Sequence, residues 1–408
     1  MARSRAPMRL AAVTLALLRW GLRRNPPPTP RRILVLHHLL LGDTLMVTGL
    51  VAKLRACHPD SEIVMTVPRA YAPLYAGRPY GMIAHPFDAR DVRTLWPLLR
   101  GPRFDLAVLP ADNRWSWLAR ALGTRWIVAL EGDRPAHKNW PVDELRPYSP
   151  TPTAFVETAM SLQPGNAPLP YRAADWPAPA AVDAPVIEGD YAVLHVGAGS
   201  VLKQWEPARW RALAQWLSGR GLQIVWSCGP GEEALINAVA PTSSERVFAG
   251  NLNLAAMWHL LAAARIAVAP DTGIAHLGRI VGVPTVTLFG PGSARICGPG
   301  EFFSGVPCRA VTIDPFPCRD QTIQFFREVS WVRRCERLFG SPPDRCARAL
   351  CMEAIDVTAV IAAIESMGVG VAGKTRALGN YGRSGDRASS VGNDDPPNPG
   401  LTQSRSDA

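Results

Sequence analysis

The sequence predicts an α/β protein of two doubly wound halves that face each other across a cleft. Three observations predict it. Short apolar runs of strand length alternate with helix-length periodic stretches over residues 33–130, and a second such series runs over 191–289. Between them, over 131–190, the alternation fails and eleven of sixty residues are proline, which reads as loops around one helix followed by a linker. Finally, the stretch 265–291, RIAVAPDTGIAHLGRIVGVPTVTLFGP, reads as strand, tight turn, helix and strand, a crossover of the parallel-sheet type.

Length and composition bound the rest. The 408 residues leave room for two or three domains, and a hydrophobic share of 47% supports real cores. Proline, at 39 residues, is about twice its usual ~5%. A net charge of +10 favours an anionic partner: nucleic acid, nucleotide or membrane surface. Eight cysteines are too few for a small disulfide scaffold. No run of about 20 apolar residues is present, so no bilayer-spanning helix is expected.

In chain order, residues 8–24 (MRLAAVTLALLRWGLRR) read as a basic amphipathic helix. Helical spacing puts Arg5, Arg9, Arg19, Arg23 and Arg24 on one side and Leu15, Leu18 and Leu22 roughly opposite. Such a helix suits an anionic membrane surface, and equally a place packed on the body. Pro26, Pro27, Pro28 and Pro30 form a stiff spacer. Residues 33–36 are a buried-type strand, and Leu41-Gly42-Asp43 turns the chain into a helix reaching about residue 56, with Asp43 able to cap it. Strands follow at 62–67, 82–85, 106–109 and 126–130, with helical stretches at 92–99 and 115–122 among them. The one helix of the Pro-rich region is placed at 154–162.

The second series opens with strand 191–196, the turn Gly197-Ala198-Gly199-Ser200 and helix 207–217. Strand 223–227, the turn 229–231 and a helix begun by Glu232-Glu233 come next. Helix 254–264 leads to strand 266–269 and Asp271-Thr272-Gly273. The helix after it repeats Ile274, Leu277, Ile280 and Val281 at three- and four-residue spacing, and strand 285–289 follows. Cys308, Cys318, Cys335, Cys346 and Cys351 fall within 44 residues without a C-x-x-C pair, which favours free thiols or one or two disulfides over zinc. A last helix is expected at 357–365. The tail 368–408 should be disordered, and its Gly368-x-Gly370-x-x-Gly373 match to a dinucleotide fingerprint lacks a strand before it and a helix after it. The chain thus divides into 1–30, 31–185, 186–367 and 368–408.

Three loops at carboxyl ends of strands carry the polar groups: one with Asp43, one with Gly197 to Gly199 and Lys203, and one with Asp271, Thr272, Gly273 and His276. A Gly-rich turn, a lysine and a helix N-terminus together describe a diphosphate site. An ionised Asp43 from the opposite half would be a base. Each residue also has a plainer reading. Asp43, Asp271 and Thr272 can cap helices, Lys203 can be a solvated loop lysine, His276 can bond a helix neighbour, and Glu232 suits a helix first turn. No Walker-type loop, acidic pair or His cluster suggests a catalytic metal.

The stretches ILVLHHLLLGDTLMVTGLVAKLRACHPDSEI, HVGAGSVLKQWEPARWRALAQWLSGRGLQIVWSCGPGEE and VAPDTGIAHLGRIVGVPTVTLFGP resemble the ADP-heptose:lipopolysaccharide heptosyltransferase family, in that family's order. The setting of Cys318, Cys346 and Cys351 is similar to that of many members. The resemblance implies a GT-B fold, with a Rossmann-like acceptor domain over 31–185 and a Rossmann-like nucleotide-sugar domain over 186–367. It implies inverting, metal-independent glycosyl transfer without a cofactor. Asp43 would be the base and Lys203 a diphosphate ligand. Thr272 and Gly273 would lie under the phosphates, Glu232 near the ribose, and Asp271 and His276 along the donor pocket. The donor would be a nucleotide-diphosphate sugar, ADP-heptose by default, and the acceptor a glycan or lipid-linked glycan. This implies a cytoplasmic enzyme at the inner membrane, with residues 1–24 on the anionic surface. The His37-His38-Leu39-Leu40 run departs from the family's small hydroxyl residues before L-G-D. Two other classes stay open: a nucleotide-sugar-binding protein or epimerase on the same scaffold, and a nucleic-acid binder. The scattered basic residues count against the latter.

Overall fold

The computed structural model describes residues 6–20, 25–181, 183–341 and 345–369. The tail 370–408, with most of the expected disordered segment and the Gly370 and Gly373 positions, lies outside the described residues.

Two six-stranded sheets carry the fold. The first contains β1 (Arg32–Val35), β2 (Glu62–Val67), β3 (Ile83–Pro86), β4 (Leu106–Leu109), β5 (Trp126–Leu130) and β6 (Glu144–Arg146) in the spatial order β3-β2-β1-β4-β5-β6. The second contains β7 (Tyr191–His195), β8 (Gln223–Cys228), β9 (Arg246–Ala249), β10 (Ile266–Pro270), β11 (Thr285–Phe289) and β12 (Cys308–Thr312) in the order β12-β11-β10-β7-β8-β9. Counted from the first strand of each, the two orders are the same doubly wound 3-2-1-4-5-6 arrangement. Every neighbouring pair in both sheets is parallel. Helices cover both faces, so the inner strands are continuous apolar runs, such as LAVL in β4 and IAVAP in β10, buried at every residue.

Helices α1 (Ala6–Leu18), α2 (Leu41–Met46), α3 (Thr48–Cys57), α4 (Trp96–Arg100), α5 (Ser116–Ala121) and α6 (Phe155–Met160) accompany the first sheet. Helices α7 (Pro207–Ser218), α8 (Glu233–Val239), α9 (Leu254–Ala263), α10 (Gly273–Val281), α11 (Ala294–Cys297), α12 (Leu350–Glu353) and α13 (Val357–Glu365) accompany the second. The single helix expected from 43 to 56 is two, broken at Val47, and it begins at Leu41 rather than at Asp43. The strands the sequence did not announce, β6, β9 and β12, are all sheet edges. They are half-exposed sequences such as Glu144-Leu145-Arg146, with no apolar run to betray them.

One apolar cluster runs through both halves, from Ile33, Leu50 and Tyr75 to Trp258, Leu277 and Phe302. The Pro-rich linker stitches it together. Trp176 packs at a tilt between Tyr75 (4.9 Å) and Trp258 (5.8 Å), and its indole N–H donates to the Leu74 carbonyl at 2.8 Å. Tyr171 O–H donates to the Ile280 carbonyl at 2.6 Å. Each such buried aromatic contributes about 2–3 kcal/mol of apolar burial.

Helix α1 lies on α5 through its small face, where Ala16 is fully buried. Arg19, expected on a basic side facing outward, instead turns inward. Its Nη1 donates to the Ala121 carbonyl at 2.5 Å, because a buried carbonyl in the last turn of α5 has no donor within the helix. Leu10, Leu17 and Leu18 stay 71%, 57% and 78% exposed, so part of the helix's apolar surface faces away from the body. Arg5, Leu22, Arg23 and Arg24 lie outside the described residues. All eight cysteines are free thiols, so no disulfide is formed in the Cys308 to Cys351 stretch.

Candidate functional site

The carboxyl ends of β1, β7 and β10 converge on one cleft of about 400 Å³. In each sheet these strands flank the point where the strand order reverses, the place where open α/β sheets bind ligands. Of the residues singled out by sequence, Asp43, Lys203, Asp271, Thr272, Gly273 and His276 all line this cleft. Glu232 does not. It sits one loop away, its Oε2 accepting from the Gly229 N–H at 2.8 Å, beside Gly197.

Two helix N-termini meet here, and neither is capped by a side chain. Helix α2 starts at Leu41, the preceding Leu40 makes no side-chain cap, and Asp43 stands in its first turn, so the expected capping role is not what holds this carboxylate. Helix α10 starts at Thr272, whose hydroxyl makes no capping bond and is a buried oxygen with no partner. The helices approach closely because two glycines permit it. A Cβ on Gly42 would stand 2.7 Å from His276 Cδ2, and one on Gly273 would stand 2.8 Å from Leu41 side-chain atoms.

The charges are arranged in pairs. Lys203 reaches from a 3₁₀ turn (Val201–Lys203) and donates to the Asp271 carbonyl at 2.8 Å and to Asp271 Oδ2 at 2.9 Å. Burial pulls this ammonium down, but the charge of Asp271 and its hydrogen bond outweigh burial and hold it above the usual lysine range. It is not a solvated loop lysine. His276 is 4% exposed, and burial, with Arg279 beside it, pushes its pKa down to about 3. Arg279 Nη1 lies 3.4 Å from His276 Nδ1, so Nδ1 accepts and the proton sits on Nε2, toward Asp271 Oδ1 at 3.9 Å. The imidazole is therefore neutral at physiological pH. Asp43 is pushed up to about 6, first by burial and then by the Asp271 charge, with Arg334 and Lys203 opposing. A carboxylate with a pKa near 6 is ionised at neutral pH and still takes a proton readily.

The opposite wall comes from residues 323–336, which sequence reading missed. Strands β13 (Ile323–Gln324) and β14 (Arg327–Glu328) form a two-residue hairpin whose turn is Phe325-Phe326. Both phenylalanines adopt positive φ (46° and 63°), a conformation that normally selects Asn-Gly. Such strain costs about 1–3 kcal/mol per residue. It is offset by Arg327, 2% exposed, which crosses to the other half. Its guanidinium donates to the carbonyls of Ala111 (2.8 Å), Leu130 (3.0 Å) and Glu131 (2.7 Å) and to Asn113 Oδ1 (2.8 Å), with Asp133 3.5 Å away. Phe325 packs on Phe155 at 4.8 Å. Beyond the hairpin, Arg334 and Glu336 complete the lining. No periodic signal marks this segment. Its apolar residues follow neither a helical nor an alternating spacing, and its strands are two residues long.

The profile of glycosyltransferase family 9 (heptosyltransferase) matches residues 92–301. That span includes Lys203, Glu232, Asp271, Thr272, Gly273 and His276; Asp43 precedes it. Lipopolysaccharide heptosyltransferase 1 of Pseudomonas aeruginosa is 27% identical over 312 residues, covering 68% of this chain and 86% of that protein. Lipopolysaccharide heptosyltransferase 3 of Escherichia coli is 24% identical over 285 residues, covering 61% and 80%. Among solved structures, E. coli ADP-heptose lps heptosyltransferase II superposes with a TM-score of 0.61 at 17% identity, covering 83% of this chain and 98% of that one. E. coli heptosyltransferase WaaC with ADP gives 0.60 at 17% identity, covering 82% and 99%. The structural matches show a shared GT-B fold.

Proposed function

The chain belongs to glycosyltransferase family 9, the heptosyltransferases, and on that premise we propose that it moves a heptose from ADP-heptose to a lipopolysaccharide-type glycan acceptor, with inversion and without a metal. The observation that carries this reading is the pairing, in one cleft, of a half-buried carboxylate from one half with an uncapped helix N-terminus from the other. The relatives studied with ADP and with ADP-2-deoxy-2-fluoro heptose support the donor.

In the proposed reaction the acceptor hydroxyl gives its proton to Asp43 as its oxygen attacks the anomeric carbon. The bond from that carbon to the β-phosphate oxygen breaks, and the nucleoside diphosphate leaves with the electron pair. The free N–H groups at the start of α10, the unpartnered Thr272 hydroxyl and the third N–H of Lys203 receive its charge. Asp271 holds Lys203 in place, and neutral His276, 3.9 Å from Asp271 Oδ1, adds no second positive charge beside that pair. Glu232, beside Gly197 and Gly229, would face the ribose.

The test is a transfer assay with ADP-heptose and a lipopolysaccharide-core acceptor, with chelator present throughout. Acceptor-dependent product supports the reading. Hydrolysis or epimerisation of the donor without acceptor, or a requirement for added metal, would count against it. Salt-resistant nucleic-acid binding at 200 mM would revive the binding-protein alternative.

We also place the enzyme at the inner membrane face of the cytoplasm, held peripherally through its N-terminal helix. Among the described residues no helix is long and apolar enough to cross a membrane. The outward Leu10, Leu17 and Leu18 supply apolar burial, and each nearby Lys or Arg adds roughly 1 kcal/mol on an anionic leaflet. Replacing these three leucines by Glu should lower sedimentation with anionic vesicles and leave transfer to a soluble acceptor unchanged. Undiminished sedimentation overturns this placement.

A further inference from the structure

Two cations line the cleft among the described residues, Lys203 and Arg334. Lys203 is already committed, giving two of its three N–H groups to Asp271. A diphosphate that gains a further negative charge as its bond to the sugar breaks needs more than this. Arg334 stands on the wall contributed by residues 323–336, its backbone fixed by paired bonds with Gln321 at 3.1 and 3.2 Å. Its Nη1 donates to Gln324 Oε1 at 2.5 Å and its Nη2 pairs with Glu336 Oε1. That uses two of five N–H groups and leaves three.

Resting on the donor reading above, we propose that Arg334 is a direct ligand of the leaving diphosphate and that Glu336 is the counter-ion the diphosphate displaces. The electrostatics favour the exchange. Asp43, Asp271 and Glu336 set three acidic groups against two cations along the cleft, so the entry of an anion is favoured when one carboxylate yields. Glu336 is the one able to do so. Its side chain is 50% exposed, whereas that of Asp271 is 8% exposed and bonded to Lys203. An exposed ion pair is weak and opens into water at little cost. Arg334 also acts on Asp43, drawing its pKa down against burial, so the guanidinium charge reaches the interior of the cleft and is not confined to solvent.

The pairing predicts opposite signs for its two members. The full chain is titrated calorimetrically with ADP, GDP, UDP and CDP, and with the monophosphate of whichever base binds. Arg334→Gln should weaken the diphosphate about tenfold or more and the monophosphate less than about twofold, with Arg334→Lys between, as expected for loss of charge-assisted bonds. Glu336→Gln should leave the diphosphate as tight or tighten it about threefold, since it removes a competing carboxylate. Unchanged diphosphate affinity in Arg334→Gln, or equal weakening in both variants, overturns the proposal; the latter would mean the pair only supports the fold. If Arg334→Gln does not fold, the Arg334→Lys and Glu336→Gln results decide. Failure of the unaltered protein to bind any nucleoside diphosphate would instead sink the donor reading itself.

Discussion

In the C-terminal half, the loops after β7 and β10, the strands flanking the point of reversed order, both open onto the cleft and supply Lys203, Asp271, Thr272 and Gly273. The corresponding strands of the N-terminal half are β1 and β4. Only the loop after β1 reaches the cleft, bringing Asp43. The loop after β4, with Ala111 and Asn113, is filled by Arg327 of the same chain. One architecture thus treats its binding end in two ways. Where the chain supplies its own donor, the carbonyls and amides are satisfied and the region serves as an anchor. Where it does not, a hydroxyl and a helix N-terminus remain without partners, and a ligand can satisfy them.

Four effects, read from three substitutions, break or sharpen this comparison. Asp43→Asn, which takes the base from the N-terminal loop, should lower turnover by about 10³-fold while leaving nucleotide affinity intact, because general-base removal costs about 10²–10⁴. Initial rates beside a binding titration check it, and a loss below tenfold would show that the first loop is no catalytic partner of the second.

Arg327→Ala should cost about 3–5 kcal/mol of stability, read from denaturant melts, since it strands buried carbonyls and Asp133. A cost under about 1 kcal/mol would mean that the plug is ornamental and the two ends are alike.

The third effect is a pH linkage. The folded pKa of Asp43, about 6, lies above its unfolded value near 4, so the native state binds more protons between these limits. Its contribution to stability is therefore present below about pH 4 and is lost as pH rises through about 6. The difference between wild-type and Asp43→Asn melts should then grow over that window, with the Asn variant more stable at neutral pH by on the order of 2 kcal/mol. Activity runs the other way in the unaltered enzyme, with kcat/KM rising as pH passes upward through about 6.

The smallest effect is expected at Thr272→Val. Its hydroxyl has no partner in the folded protein, so stability should hold or rise while nucleotide affinity drops about fivefold, the worth of one hydrogen bond to a charged group. Equal losses in stability and affinity would refute the idea of a donor kept for a ligand.

Central strands and the helices over them were legible in the sequence because burial on both faces forces continuous apolar runs, and 106–109, 126–130 and 285–289 match residue for residue. The edges β6, β9 and β12 carry no such constraint and left no trace. The site divides in the same way. The loops after β1, β7 and β10 are tied to strand ends, so their polar residues stood out. Arg334, Glu336 and the Phe325-Phe326 turn sit on a segment shaped by long-range bonds, which no local pattern records. Reading Asp43 and Thr272 as caps failed for a geometric reason: both helices start within the cleft, and neither side chain folds back onto its own helix.

The partners of Arg327 lie 196 to 216 residues earlier in the chain. A chain made from its N-terminus exposes the whole first sheet long before this arginine exists. During that interval the Ala111 and Glu131 carbonyls lack the donor that Arg327 later supplies, the Leu130 carbonyl has only the Asn113 amide, and Asp133 lacks the guanidinium beside it. The first half therefore completes its folding last, after the second sheet has been synthesised. A nascent chain halted near residue 312 would hold every strand of both sheets and still present an unfinished N-terminal half to chaperones and proteases.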